Sequence, residues 1–358
     1  MTTLVVSDLH LGAFSELDLA RRDPYREALV EAARASERLV LLGDVLELRE
    51  LGARTALERA RPLLAALADV LRGREVVVVA GNHDHPLARP LVERARLAGE
   101  PLSPFAAPVA AEAVGGLAAA FAEHLAPARV AVAYPGVALR SDVYATHGHY
   151  LDLHLTVPKI ESLAAAVLAR MRGRGWRPRT ADEHERTLSP LYALLAELAE
   201  LAPATALVAG GRLSRKVWLS ANGSRIRPLA RARAAAVAGG VRGALVALRA
   251  AGIDSFAPQI DGATLRRAGL RAIAAVASAL ELEERYRHLV FGHTHRAGPL
   301  PGDAPAEWRT ARGTQLWNSG CWIAEPALAG SNGLGGYAPG YAVLVPERGE
   351  PLVKRLVG

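Results

Sequence analysis

Eight residues of this 358-residue chain stand out by type and by place: Asp8, His10, Asp44, Asn82, His83, His147, His293 and His295. All of them offer oxygen or imidazole nitrogen. They fall in five short polar runs: Ser7-Asp8-Leu9-His10, Gly43-Asp44, Gly81-Asn82-His83-Asp84, His147-Gly148-His149 and Gly292-His293-Thr294-His295. Donors of this kind suit Mn, Fe, Co, Ni or Zn. The chain has 11 His and one Cys, Cys321, so a thiolate-rich zinc or iron–sulfur site is excluded. One cation takes about four to six donors, and this set is large enough for two. Two ions sharing a carboxylate can acidify a bridging water and hold both oxygens of an in-line phosphoryl displacement. A lone Gly-Asp or Gly-Asn-His-Asp is ordinary turn chemistry; eight such residues in five runs are not.

What must position them is a set of strands. Each polar run follows a short apolar one: Leu4–Val6, Arg38–Leu42, Glu75–Ala80, Val143–Thr146 and His288–Phe291. These runs are rich in Val and Leu and too short for helices, which predicts buried strands. The polar residues then lie at the strands' C-terminal ends, where open α/β sheets bind ligands. Helical spacing separates the early strands, over Pro24–Glu37 with Asp23 as expected N-cap, over Thr55–Leu71, and in the Ala-rich stretch Ala106–Ala126. Strand, helix, strand predicts a right-handed α/β start. Arg129–Thr146 reads as strands around a Pro135-Gly136 turn.

Residues 151–287 break the pattern. They read as mostly helical, over Val157–Met171, Pro190–Leu201, Leu229–Ala250 and Ala263–Tyr286, with basic loops at Arg170–Arg179 and Arg212–Arg227. The tail returns to β at Gln315–Asn318, Trp322–Ala324, Tyr341–Pro346 and Pro351–Leu356, with a Gly-rich loop at Gly330–Gly340. The expected division is a core of residues 1–150 and 288–358 with a helical insertion, or cap, of residues 151–287.

Taken in order, the five polar runs resemble the signature blocks of the calcineurin-like metallophosphoesterase superfamily. The resemblance covers roughly Met1–Thr146 and His288–Val345. It implies a four-layer α/β/β/α sandwich and a dinuclear centre. By that resemblance Asp8, His10, Asp44 and His295 would hold the first metal, and Asp44 would bridge to a second held by Asn82, His147 and His293. His83 matches the family's non-ligand histidine, which would donate a proton to the leaving oxygen or stabilise the phosphoryl charge. Glu47 stands where an Asp more often orients that histidine. The cofactors implied are two divalent ions (Mn, Fe, Zn, Co or Ni), with Mn favoured. His85, His149 and His154 are candidates for bracing or lining the site; His124, His184 and His288 are expected to be structural. Asn318-Ser319-Gly320 is similar to a family element that packs the second sheet, and Cys321 is expected to be a buried structural thiol.

The function expected is metal-dependent hydrolysis of a phosphate ester or pyrophosphate by attack of a metal-bridging hydroxide. The block Ser7–Gly12 and the insertion are similar to the branch of UDP-diacylglucosamine pyrophosphohydrolases, which extends the expectation to a small or lipid-linked phosphate substrate and to peripheral membrane contact through the cap. The alternative is a nuclease or nucleotide phosphodiesterase. A non-catalytic interaction module ranks last, because every expected ligand and His83 are present. The net charge of +7 (43 Lys plus Arg against 36 Asp plus Glu) is carried almost wholly by arginine, since Lys159, Lys216 and Lys354 are the lysines. Net charge bears on non-specific binding more than on function, so a nucleic-acid partner ranks low. No targeting segment is legible, and Ala234–Ala251 is interrupted by Arg242 and Arg249. The expected location is cytoplasmic, at most peripheral to a membrane.

Overall fold

The computed structural model describes residues 2–13, 17–156, 160–201, 262–324 and 336–357. The expected helix Leu229–Ala250, the basic loop Arg212–Arg227, the apolar stretch Ala234–Ala251 and the first part of the Gly-rich loop lie outside these residues.

Two sheets face each other. Among the described residues the larger has seven strands. Its parallel centre is β1 (Thr3–Val6), β2 (Arg38–Leu42), β3 (Glu75–Val79) and β5 (Arg129–Ala133). Short β4 (Val109–Ala110) closes one edge, and β10 (Tyr341–Val345) and β11 (Leu352–Arg355) pair antiparallel at the other. The smaller sheet has the order β6 (Gly136–Arg140), β7 (Val143–Thr146), β8 (His288–Phe291), β9 (Gln315–Asn318). All five apolar runs are strands.

Residue alternation explains the layering. Val5, Val40, Leu42, Val77 and Val79 share a buried cluster with Val137, Val143, Ala145 and Val290 of the smaller sheet. The intervening residues Leu4, Val6, Leu39, Leu41, Val76 and Val78 belong to the large cluster that also takes in helices α1 (Tyr25–Arg34) and α2 (Ala53–Val70). A period of two thus puts one side-chain set between the sheets and the other under helices. The outward set of the smaller sheet, Tyr144, Leu289, Phe291 and Leu316, lies in the same large cluster as Ile273 and Val276 of α8 (Gly262–Ala279). The fold is the α/β/β/α sandwich with a helical insertion.

Several boundaries differ from expectation. The N-cap position of α1 is Pro24, and Asp23 instead accepts from the Arg26 guanidinium at 2.9 Å. The stretch 106–126 divides into α4 (Ala111–Val114) and α5 (Gly116–Glu123) around Gly115, with α3 (Arg89–Ala98) before them. Trp322–Ala324 makes a single bridge, Asp18 to Ile323, rather than a strand. The helix read as Ala263–Tyr286 ends at Ala279, turns through Glu281 at φ 57°, and restarts as α9 (Leu282–Arg285).

The largest difference is in the insertion. Helix α7 runs Ala181–Leu201, passing through Pro190 rather than starting there. Thr180 supplies the start: its hydroxyl accepts from the Glu183 N–H at 3.2 Å, the Ser/Thr-x-x-Glu signal of an N-terminus. Pro190 has no N–H to give the carbonyl of residue 186. The Arg172 guanidinium, at the end of α6 (Ile160–Arg172), bonds that carbonyl instead at 3.1 Å. The break in one helix is thereby filled by its neighbour.

Candidate metal centre

The five strand ends converge, and they do so through strained backbone. Among the described residues, six non-glycine residues have positive φ; five are Asp8 (54°), His10 (45°), Asp44 (50°), His293 (65°) and His295 (58°). Such conformations cost energy and persist only where the surroundings over-determine them. Two glycines permit the approach. A Cβ on Gly43 (φ 83°) would strike the His147 ring, and one on Gly81 would strike the Asp44 carboxylate.

Asp84 is a principal brace of the Asp44 loop. Its buried carboxylate accepts from the backbone N–H of Gly81 (2.6 Å), Asp44 (3.2 Å) and Val45 (2.7 Å). Burial and the Asp44 charge nevertheless push it up to about 6. The sequence shows Asp84 beside His83 but not this role, which depends on a contact 40 residues away.

The donors gather in overlapping sets. Asp8, His10 and His295 form one, and Asp44, His147 and His293 another; within each set the ligand atoms lie within 4.8 Å of one another. Asp44 Oδ2 links them, 3.2 Å from His147 Nε2 and 3.8 Å from His10 Nε2. Asn82 Oδ1 is 3.3 Å from His147 Nε2. His83 Nε2 is 3.9 Å from Asp44 Oδ2. Most of the cluster is buried, while His83 and His295 keep 21% of their side chains exposed and mark the mouth.

Hydrogen bonds turn the rings. His147 Nδ1–H donates to the Leu42 carbonyl (2.9 Å), leaving Nε2 toward Asp44. His10 Nδ1 meets Glu47 Oε2 at 2.8 Å, leaving Nε2 buried with no hydrogen-bond partner. His293 Nε2 meets Asp152 Oδ1 at 3.0 Å, leaving Nδ1 toward Asn82. Glu47 also reaches His83 Nδ1 at 2.8 Å, so the longer side chain spans to both histidines. Asp8 Oδ2 accepts from the His293 N–H at 3.0 Å and from Ser7, whose hydroxyl is 2.7 Å from that of Ser319. Asn318 Nδ2 donates to Thr294 Oγ1 at 2.9 Å, so the expected packing element braces the 292–295 turn. Cys321 is buried and in no disulfide, and its thiol donates to the Ile323 carbonyl at 3.8 Å.

The electrostatics follow from this crowding. Burial would raise the Asp8 carboxyl, but the imidazoles of His295 and His147 outweigh it and bring it down to about 2. Asp44 is likewise held well below the carboxylate range against burial by His147 and His83. Burial disfavours charge on His147, yet Asp44 lifts it to about 9. Burial, then the Arg49 guanidinium, lower His83 despite Glu47.

These residues fit divalent cations. Asp8 Oδ1 and His10 Nε2 are buried without hydrogen-bond partners. Asn82 turns its amide oxygen toward Asp44 Oδ2 and His147 Nε2 (both 3.3 Å) and His293 Nδ1 (3.0 Å). With its amide reversed it would donate to all three. Acceptors converging on one point are what a cation satisfies.

Around this centre lies a buried polar layer that holds the expected His85, His149 and His154; its central carboxylate, Glu185, was not legible in the sequence. Glu185 of α7 accepts from His85 Nε2 (2.8 Å), Tyr134 (2.5 Å) and Tyr150 (3.1 Å). Tyr134 gives its proton to Glu185, so His149 Nε2–H donates to the Tyr134 oxygen at 3.0 Å. His154 and His184 meet through their Nε2 atoms at 2.9 Å; His184 Nδ1–H donates to the Thr180 carbonyl, so His154 is the donor of the pair. His288 lies elsewhere, beside Trp317. Of the basic loops, Arg170–Arg179 is described, and its Arg172 is engaged by the Arg186 carbonyl and the Trp176 ring. Among the described residues no helix is long and apolar enough to cross a membrane.

A family model described as calcineurin-like phosphoesterase matches residues 1–168. A search of curated proteins found no match. The matched stretch holds Asp8, His10, Asp44, Asn82, His83 and His147; the fold brings His293 and His295 to them on the turn after β8.

Proposed function

We propose that this chain, a member of the calcineurin-like phosphoesterase family, is a dinuclear metal-dependent hydrolase of a phosphate ester or pyrophosphate. The observation that carries the reading is the position of Asp44, whose one carboxylate faces both donor sets. Asp8, His10 and His295 would hold one ion, Asn82, His147 and His293 the other, with Asp44 shared. Two divalent ions there supply Lewis-acid chemistry, acidifying a nucleophilic water and neutralising phosphoryl charge.

The chain's own residues do the rest. His83 stands at the mouth with Nδ1 on Glu47 and Nε2 toward the centre. That geometry suits it to hand a proton to the departing oxygen. Glu47 fixes the ring and faces His10 as well. The buried walls exclude water from the donors while the side of His83 and His295 stays open to substrate.

A lipid-linked substrate, with contact at a membrane surface, extends this reading. Leu194, Leu198 and Leu201 recur at helical spacing on α7 and are exposed at 56%, 39% and 81%. An exposed apolar row of this kind supports an interfacial role.

The test is metal analysis combined with turnover of an activated phosphodiester. The expected result is two divalent ions per chain and turnover that Asp44→Asn abolishes. Wild-type activity in Asp44→Asn would refute the mechanism.

A further inference from the structure

We infer that Arg49 binds a phosphate oxygen of the substrate, and that the insertion seats it for that purpose. The inference rests on the phosphoesterase reading above and goes beyond its metal and proton-donor residues.

Arg49 lies five residues after Asp44. Its backbone N–H bonds Glu47 Oε1 at 3.1 Å, so the loop that orients His83 also launches this side chain. The side chain is only 11% exposed, and a guanidinium stays charged in proteins. Its carboxylate neighbour is Glu161 Oε1, 3.4 Å from Nη1, longer than the roughly 2.7–2.9 Å of a strong charge-assisted bond. Nε is buried with no hydrogen-bond partner. With Asn82 Oδ1 aimed at the donor set, Nη2 lies 2.7 Å from the amide nitrogen, a donor facing a donor; only with the amide reversed would its oxygen accept from Nη2. The Tyr192 ring centroid lies 5.8 Å from Cζ. A buried cation so weakly matched is costly unless an anion completes it.

The place of this cation says which anion. Through Asn82 it adjoins the second donor set, and through Glu47 it shares a loop with His83. A planar fork of N–H donors fits two oxygens of a phosphate. The oxygens belong either to the phosphoryl group at the centre or to a second phosphate one bond away. Two insertion helices set the position: Glu161 is on α6 and Tyr192 on α7. The insertion therefore decides where the anion is read, which makes Arg49 a determinant of specificity as well as of affinity.

The experiment uses the full chain loaded with Mn2+. It compares wild type, Arg49→Gln and Glu161→Gln for metal content and for binding of inorganic phosphate and inorganic pyrophosphate, followed by calorimetry and by inhibition of turnover. Arg49→Gln should weaken anion binding about tenfold to a hundredfold while metal content stays at the wild-type value. Glu161→Gln, which removes the competing carboxylate, should tighten it. Opposite signs from the two variants are not what a purely structural role gives. Equal weakening of both probes in Arg49→Gln assigns Arg49 to the central phosphoryl group; weakening of pyrophosphate alone assigns it to a second phosphate. Unchanged affinity for both probes in a metal-loaded Arg49→Gln overturns the Arg49 assignment and leaves the phosphoesterase reading standing. Failure of wild type to take up metal defeats both. If Arg49→Gln does not fold, unchanged or weaker binding in Glu161→Gln overturns the assignment by itself.

Discussion

His10 and His293 make the same arrangement in two places. Each turns one ring nitrogen toward a donor set and gives the other to a buried carboxylate, Glu47 in the first case and Asp152 in the second. The carboxylates come from different parts of the chain. Glu47 belongs to the loop after β2, three residues from Asp44. Asp152 belongs to the 3-10 turn His149–Leu153, where the chain leaves the smaller sheet for the insertion. The first donor set is braced from within the sandwich by Glu47, Ser7 and Ser319. The second takes much of its support from the insertion side: Asp152 behind His293, and Arg49 at Asn82 between Glu161 and Tyr192. A partner carboxylate fixes both the ring and its tautomer. The lesson is that the two donor sets, though Asp44 faces both, depend on different segments, so that changes in the insertion reach one before the other.

Glu47→Gln strikes the side of the comparison that also holds His83, so its effect should be the largest. Turnover should fall about 10²- to 10⁴-fold, the scale of general-acid catalysis, with retained secondary structure by circular dichroism. Asp152→Asn should be smaller and confined to the other side. We expect one of two Mn2+ binding steps to weaken about 10–100-fold while the other holds, read by calorimetric titration. Equal weakening of both steps would erase the distinction between the sets. Glu185→Gln should cost about 1.5–3 kcal/mol of stability, because the carboxylate serves three donors, and denaturant unfolding measures it.

The smallest effect concerns acid. Burial holds His154 down to about 3 and His184 down to about 4, so both are neutral in the folded chain at pH 7. The unfolded chain takes up protons at these rings below about pH 6.5. Their contribution is therefore full above that pH and is lost as pH falls toward 4 and then 3. Between pH 7 and 6 the loss should stay under about 1 kcal/mol per ring. A His154→Gln, His184→Gln double variant should flatten that part of the stability–pH curve.

The strands and their terminal donors were legible because both signals are local: a Val/Leu run and the Gly, Asp or His that ends it. The sandwich followed from those runs only with the family resemblance, since nothing local says that β7 and β8 lie in a different sheet from β1, β2 and β3. Arg49, Asp152 and Glu185 were not legible. Each gains its place from a partner about 100 residues or more away, Glu161, His293 and His85 respectively. Helix α7 was misplaced for the opposite reason. Its start signal, Thr180 with Glu183, was local, but Pro190 offered a competing one, and only the Arg172 bond shows why the helix continues through it. The left-handed backbone at the donors was not legible because Asp and His, though enriched in that region, adopt it too seldom for their type alone to announce it.

That backbone has a consequence for transplantation. Five donors reach the centre because the main chain bends back on itself at their own Cα atoms, not because their side chains are long. Copying Asp8, His10, Asp44, His293 and His295 onto another pair of sheets would carry the ligands without the bends. The portable unit is the set of turns, with Asp84 and Asn318 as their fasteners, and the donors are its passengers.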